Sequence, residues 1–161
     1  MFRLIDSPLG PLRLQASPRG LSRVEFTAAS ILQKEMGGVE EGDVGKRSAD
    51  VLDAAQAQLT EYFAGRRRSF ELPLDPPATT DFRAAVHTQL AEIGYGETVT
   101  YRDVAKLLGR PGATRAVGSA CGANPLLIVR PCHRVLRSDG GLGGYAGGLE
   151  AKRLLLTLEE N

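Results

Sequence analysis

The stretch Thr100-Tyr101-Arg102-Asp103-Val104-Ala105-Lys106-Leu107-Leu108-Gly109-Arg110-Pro111-Gly112-Ala113-Thr114-Arg115-Ala116-Val117-Gly118-Ser119-Ala120-Cys121-Gly122 reads as two short helices across a tight turn. Thr100 stands three residues before Asp103, the spacing at which a hydroxyl and a carboxylate each bond the other's backbone at a helix start. Val104, Leu107 and Leu108 are then expected to face the core. Gly109 to Gly112 breaks the first helix, and Ala113 to about Gly122 supplies the second. Two short helices joined this way form a helix-turn-helix.

Downstream, Ile128-Val129 is predicted to begin a strand running into Pro131-Cys132-His133-Arg134-Val135. A glycine-rich loop follows at 140–148, and Leu149 to Glu159 forms a last amphipathic helix. Upstream, Gly94-Tyr95-Gly96 is a turn, and Thr80 caps a helix carrying Phe82, Val86, Leu90 and Ile93. Asp75-Pro76-Pro77-Ala78 has linker composition, which divides the chain into 1–76 and 77–161. The first part opens on hairpins, with turns at Ser7-Pro8-Leu9-Gly10 and Ser17-Pro18-Arg19-Gly20 and a strand through Leu21, Val24 and Phe26. Residues 29–48 read as a loop with a short helix. Val51, Ala55, Leu59 and Phe63 place an apolar stripe on a helix at about 50–64, ended by Gly65. Arg66-Arg67-Arg68 is a solvated turn, and Phe70 to Leu74 alternates like a short edge strand.

The 161 residues are 42% hydrophobic and 24% charged, the balance of a globular protein. No run approaches the roughly 20 apolar residues of a membrane span, and charges interrupt the first residues where a signal peptide would be apolar. A cytoplasmic protein with no membrane partner is expected. Cys121 and Cys132 are the only cysteines and His87 and His133 the only histidines. That set makes neither a disulfide framework nor a zinc site, so no metal and no cofactor are expected. Residues 1–77 carry 10 Lys/Arg against 11 Asp/Glu, and residues 78–161 carry 10 against 8, a skew from −1 to +2. Any nucleic-acid contact must therefore be local and geometric rather than the work of a broad basic field.

Cys132-His133 holds the chemistry. A thiol attacks as thiolate, and a histidine is the natural group to take its proton near neutral pH. Neighbours in a regular strand point to opposite faces, so the pair calls for a bend at Pro131 or a bridging water.

These residues do not stand alone. Asn124-Pro125, Pro131-Cys132-His133-Arg134-Val135, Gly144-Tyr145-Ala146-Gly147-Gly148-Leu149 and Lys152 occur in register with Tyr95-Gly96-Glu97-Thr98-Val99-Thr100-Tyr101 and Arg115-Ala116-Val117-Gly118. Weaker similarity runs through Ser7-Pro8-Leu9-Gly10 and Tyr62-Phe63-Ala64-Gly65. Together they resemble the O6-alkylguanine-DNA alkyltransferase family, also called methylated-DNA–protein-cysteine methyltransferases. The resemblance implies an α+β and α two-domain protein, with a ribonuclease-H-like sheet and helix at 1–76 and a winged helix-turn-helix at 77–161. It implies single-turnover, direct-reversal repair, in which Cys132 takes the alkyl group from O6-alkylguanine, and from O4-alkylthymine, and keeps it. In this scheme His133 takes the thiol proton through a water, Glu159 orients His133, Tyr101 donates to the leaving base, and Asn124 braces the active-site turn. Tyr145, Val135, Ala146, Gly147 and Lys152 form the base pocket. Thr114, Arg115, Ala116, Gly118 and Ser119 of the second helix meet double-stranded DNA in the minor groove. Arg115 fills the space of a flipped base, and the protein acts as a monomer. The small side chains of this helix would allow close approach to a groove.

The chain departs from the family's pattern at three places. Arg130 stands where an aliphatic residue is usual, His87 where a tryptophan is usual, and Gly94 where a proline is common. Arg130 could tune the thiol or contact DNA. His87 is read as a core residue, and Cys121 as packing. Three other readings compete. A winged-helix regulator would explain the two helices but not Cys132, Tyr101 and Glu159. An alkyltransferase-like lesion sensor would flip the base without a cysteine. A cysteine hydrolase would need a separate His and Asn.

Overall fold

The computed structural model describes residues 1–27 and 42–161, which fall into two compact units, Met1–Pro77 and Ala78–Asn161. In the first unit β1 (Phe2–Ile5), β2 (Leu12–Ser17) and β3 (Gly20–Phe26) make an antiparallel sheet in that order. The period-two alternation of β2 sends Leu12, Leu14 and Ala16 inward. They meet α1 (Gly42–Phe63), whose Leu52, Ala55, Leu59 and Tyr62 are 1% exposed or less. Burying each large apolar side chain of this kind contributes about 1.5–3 kcal/mol. The helix closes with paired bonds around Gly65 (φ +75°): Gly65 N–H to the Tyr62 carbonyl at 3.0 Å and Arg66 N–H to the Glu61 carbonyl at 2.9 Å.

The first unit departs from the sequence expectations in three ways. The helix begins at Gly42, not near residue 50, because its first two turns bury small residues, Gly45 and Ser48, which carry no apolar signal. Of the loop expected at 29–48, residues 29–41 lie outside the described residues and 42–48 are helical. The aromatic in the core is Tyr62, not Phe63. The edge strand expected at 70–74 shrinks to one parallel bridge, Leu21 with Leu74. It is held by Leu21 N–H on the Pro73 carbonyl and Asp75 N–H on the Leu21 carbonyl, both at 2.8 Å. Pro73 has no N–H with which to extend a ladder.

The second unit is built on α2 (Asp81–Leu90), β4 (Val99–Thr100), α3 (Tyr101–Leu107), α4 (Thr114–Gly122), β5 (Val135–Leu136) and α5 (Leu149–Glu159). Both α2 and α3 pack on α4, the arrangement of a helix-turn-helix. Thr80 caps α2, accepting Arg83 N–H. At the start of α3, Asp103 N–H donates to Thr100 Oγ1 and Thr100 N–H to Asp103 Oδ2, each at 3.0 Å. Val86, Leu90, Val104, Val117, Ala120, Leu126 and Leu155 are fully buried. Leu107 is not: it is 64% exposed, and Ala105 takes the core position beside Val104. β4 and β5 pair in parallel, Val99 opposite Val135. No helix among the described residues is long and apolar enough to cross a membrane.

The strand expected from Ile128 through Val135 does not form. Residues 125–130 turn, with Ile128 at φ +71°, and Cys132–Arg134 is a single 3₁₀ turn that leads into the two-residue β5. Local bonds dictate this: Arg130 N–H to the Leu126 carbonyl (2.9 Å), Cys132 N–H to the Arg130 carbonyl (2.8 Å) and Arg134 N–H to the Pro131 carbonyl (3.0 Å). Cys132 and His133 therefore sit on a tight turn rather than on opposite faces of a strand.

Candidate active site

Cys132 is 3% exposed and lines a cleft of about 910 Å³ in the second unit. Its turn is clamped by Asn124, whose Nδ2 donates to the Arg130 carbonyl at 2.9 Å and whose Oδ1 accepts Leu126 N–H at 3.1 Å. Burial pushes the Cys132 thiol up, opposed by the Asn124 side-chain hydrogen bond and by the positive charge of Lys152. In the resting protein the sulfur is a thiol that needs a base.

His133 follows it in sequence and is fully buried. His133 Nε2 lies 2.8 Å from Glu159 Oε1. Glu159 is fixed in turn by Arg134, with Nε on Oε2 and Nη2 on Oε1, both at 2.8 Å, while Nη1 reaches the Ile93 carbonyl at 2.6 Å. A carboxylate gripped by a fork of this kind stays ionised. It draws the Nε2 proton toward itself and leaves Nδ1 as the lone-pair nitrogen. Nδ1 is buried and meets no hydrogen-bonding partner among the described residues. Burial holds the His133 pKa below its ordinary 6.5, with Glu159 opposing the shift, so the ring is a neutral base.

Tyr101 lines the cleft from the first turn of α3, and burial pushes its phenol up to about 12, so it stays a proton donor. Its ring lies against the backbone of Gly143. A Cβ there would stand 2.6 Å from the Tyr101 oxygen and 2.7 Å from Cε2, and the residue is at φ +72°. Only glycine fits. Tyr145 and Ala146 complete one wall, and Tyr145 meets the His133 ring edge-on with centroids 6.5 Å apart. Arg115, Gly118 and Ser119 of α4 border the same cleft. Thr114 is half-buried at the head of the helix, and Ala116 is exposed.

Val135, Gly147 and Lys152, expected in the pocket, do not line it. Lys152 is fully buried, and its Nζ donates to the Val135 carbonyl (2.7 Å), the Leu142 carbonyl and the Gly144 carbonyl (3.2 Å). It stitches the glycine-rich loop to β5 from behind, through the Val135 backbone oxygen. The sequence reading also missed the Arg134 clamp on Glu159 and the lining residues Arg137, Gly143 and Arg153. Cys121, read as packing, is buried and borders the cleft, its thiol pushed up to about 12 by burial.

The departures at 87 and 130 lie near each other and outside the cleft lining. His87 is 2% exposed and bonds the Ala120 carbonyl from Nε2 at 2.7 Å, tying α2 to α4. Burial holds its pKa low, with the Ala120 bond opposing and the Arg130 and Arg83 charges assisting. Arg130 is absent from the cleft lining.

Comparison with known proteins covers both units. Residues 1–76 match the ribonuclease-like domain, and residues 81–161 the DNA-binding domain, of 6-O-methylguanine DNA methyltransferase. The methylated-DNA–protein-cysteine methyltransferase of Methanosarcina barkeri is 42% identical over 160 residues, 99% of this chain and 97% of that protein. Its counterpart in Mycobacterium tuberculosis is 39% identical over 160 residues, 99% of this chain and 92% of the relative. The crystal structure of M. tuberculosis OGT in complex with DNA superposes with a TM-score of 0.82 at 40% identity, covering 99% of this chain and 92% of that one.

Proposed function

Because the chain belongs to the O6-methylguanine DNA methyltransferase family, and so binds DNA and repairs it by direct reversal, moving an alkyl group to a cysteine of its own, we propose that this cysteine is Cys132 and that a His133–Glu159–Arg134 relay prepares it. One observation carries the assignment: a buried imidazole, bonded at 2.8 Å to a clamped carboxylate, keeps its other nitrogen unengaged on the turn that holds the cleft sulfur.

His133 Nδ1 takes the thiol proton through a water, and the imidazolium that results is balanced by Glu159. Sγ attacks the alkyl carbon in line. The S–C bond forms as the C–O6 bond breaks, and the electron pair passes to the purine. Tyr101 donates to the base as that charge develops, which lowers the cost of a poor leaving group. Asn124 keeps the turn rigid. Tyr145 and Ala146 flank the base, Lys152 holds that wall from behind through the Val135, Leu142 and Gly144 carbonyls, and Gly147 lies in the same loop. O4-alkylthymine presents the same alkyl–oxygen bond and is a second substrate.

A base stacked in a duplex cannot reach this cleft, so the nucleotide is extruded. Arg115 takes its place. Thr114, Ala116, Gly118 and Ser119 lay α4 along the minor groove, with contacts mostly to backbone and little sequence preference. One protein molecule, acting as a monomer, repairs one lesion.

The test is intact-mass analysis after incubation with a duplex containing O6-methylguanine. Uptake of one methyl group, located on Cys132 and abolished in Cys132→Ala, is the expected result. No uptake, as from a lesion sensor or a regulator, would overturn the proposal.

A further inference from the structure

The cleft that holds Cys132 is bordered by three guanidinium groups from three separate elements: Arg115 of α4, Arg137 just after β5, and Arg153 of α5. No carboxylate residue is among its lining. The remainder is glycine, small or apolar side chains, two cysteines, a serine and two tyrosines, an interior suited to a flat uncharged ring. Such a ring cannot enter alone when it is part of a DNA strand. An extruded nucleotide brings the phosphodiesters on both of its sides to the cleft, and these need cations where they come to rest.

We propose that Arg137 and Arg153 form a phosphodiester clamp beside the Cys132 cleft, gripping the lesion-bearing strand independently of α4; the inference rests on the alkyl-transfer reading above. Both side chains are available. Arg153 is exposed and makes no ion pair among the described residues. Among the described residues Arg137 pairs only with Asp139, at 2.7 Å, and the two side chains are 61% and 59% exposed. Surface pairs of that kind exchange readily for a better anion. A guanidinium presents two parallel donors to phosphate oxygens, so two arginines on different elements fix a strand in orientation as well as in place. Asp139 sets the direction in which Arg137 points, also accepting Gly141 N–H at 2.9 Å, and Glu150, exposed in the first turn of α5, is the nearest acid in sequence to Arg153.

The experiment is the single-turnover rate on an O6-methylguanine duplex at subsaturating concentration, between about 50 and 200 mM salt, for the full chain and for Arg137→Ala, Arg153→Ala, Arg137→Lys and Arg153→Lys. Each alanine variant should lower the slope of log rate against log salt by about 0.9, the share of one phosphate contact. Each lysine variant should keep the slope, because the charge remains. The alanine variants should lose more on duplex than on free O6-benzylguanine. Slopes identical to that of the unaltered protein, or equal losses on duplex and free base, would overturn the clamp. Failure of the unaltered protein to react with either substrate would instead overturn the functional reading beneath it.

Discussion

Glu159→Gln replaces one oxygen of a buried carboxylate with an amide NH₂ and tests the relay directly. In the native site Oε1 accepts from both His133 Nε2 and Arg134 Nη2, and Oε2 accepts from Arg134 Nε, all at 2.8 Å. An amide offers one accepting oxygen, so at least one donor faces another donor whichever way the group is turned. The Arg134 guanidinium, 7% exposed, also loses its counter-charge. Removing one partner of a buried pair costs about 3–5 kcal/mol. At about 4–8 °C per kcal/mol for a unit of this size, the melting temperature should fall by roughly 12 °C or more. Chemistry should suffer separately. Without the carboxylate nothing fixes the Nε2–H tautomer or stabilises the imidazolium, and loss of such an orienting acid costs up to about 10⁴-fold. The assay pairs thermal unfolding with the single-turnover rate on free O6-benzylguanine, measured below the variant's melting range. A variant that melts and reacts like the unaltered protein would refute both the clamp and the relay.

Gly143→Ala should strain the loop by about 1–2 kcal/mol at its positive φ and push the Tyr101 ring out of place. The reaction with free O6-benzylguanine should then slow at least as much as in Tyr101→Phe; an unaffected rate would argue against the Tyr101 role. Arg115→Ala should slow repair of duplex more than reaction with the free base, since only the duplex requires base extrusion, and equal losses would count against that role. Because burial holds His133 below 6.5, the imidazole remains a base on the acid side of that value. The free-base rate should stay level through pH 6.5 and decline only below it, and a decline centred above 6.5 would contradict a depressed histidine.

Elements specified by local rules were legible in the sequence. The Thr100–Asp103 box, the Thr80 cap and the hairpin turns each depend on residues three or four apart, and each forms. The helix-turn-helix followed from them. Where tertiary context overrides local pattern, the reading failed. Ile128-Val129 has strand character, yet Pro131 offers no donor and the Asn124 bracket curls the segment into turns. Leu107 has helical spacing, yet α3 is too short to bury both sides, and Ala105 takes the place. Gly45 and Ser48 carried no apolar signal that would extend α1. At the site, the residue types were visible but their wiring was not. Nothing local tells that Arg134 turns inward to Glu159 across 25 residues, or that Lys152 points behind the loop instead of into the cleft.

Two thiols border one cleft, and they differ in what surrounds them. Burial raises the pKa of both. At Cys121 little opposes it beyond the charge of Lys152, and the thiol is pushed up to about 12, where essentially no thiolate exists near neutral pH. At Cys132 the same lysine is joined by the Asn124 hydrogen bond, and the neighbouring imidazole can remove the proton. In the proposed reaction, desolvation keeps the Cys132 sulfur protonated and the relay supplies the thiolate. The bond that forms makes the proposed reaction final. Cys132 ends as a thioether, a bond that neither a thiol nor an amine displaces, and Lys152 is in any case engaged with three carbonyls. Single use in that reading is therefore a consequence of the bond that forms rather than of the acidity of the groups around it.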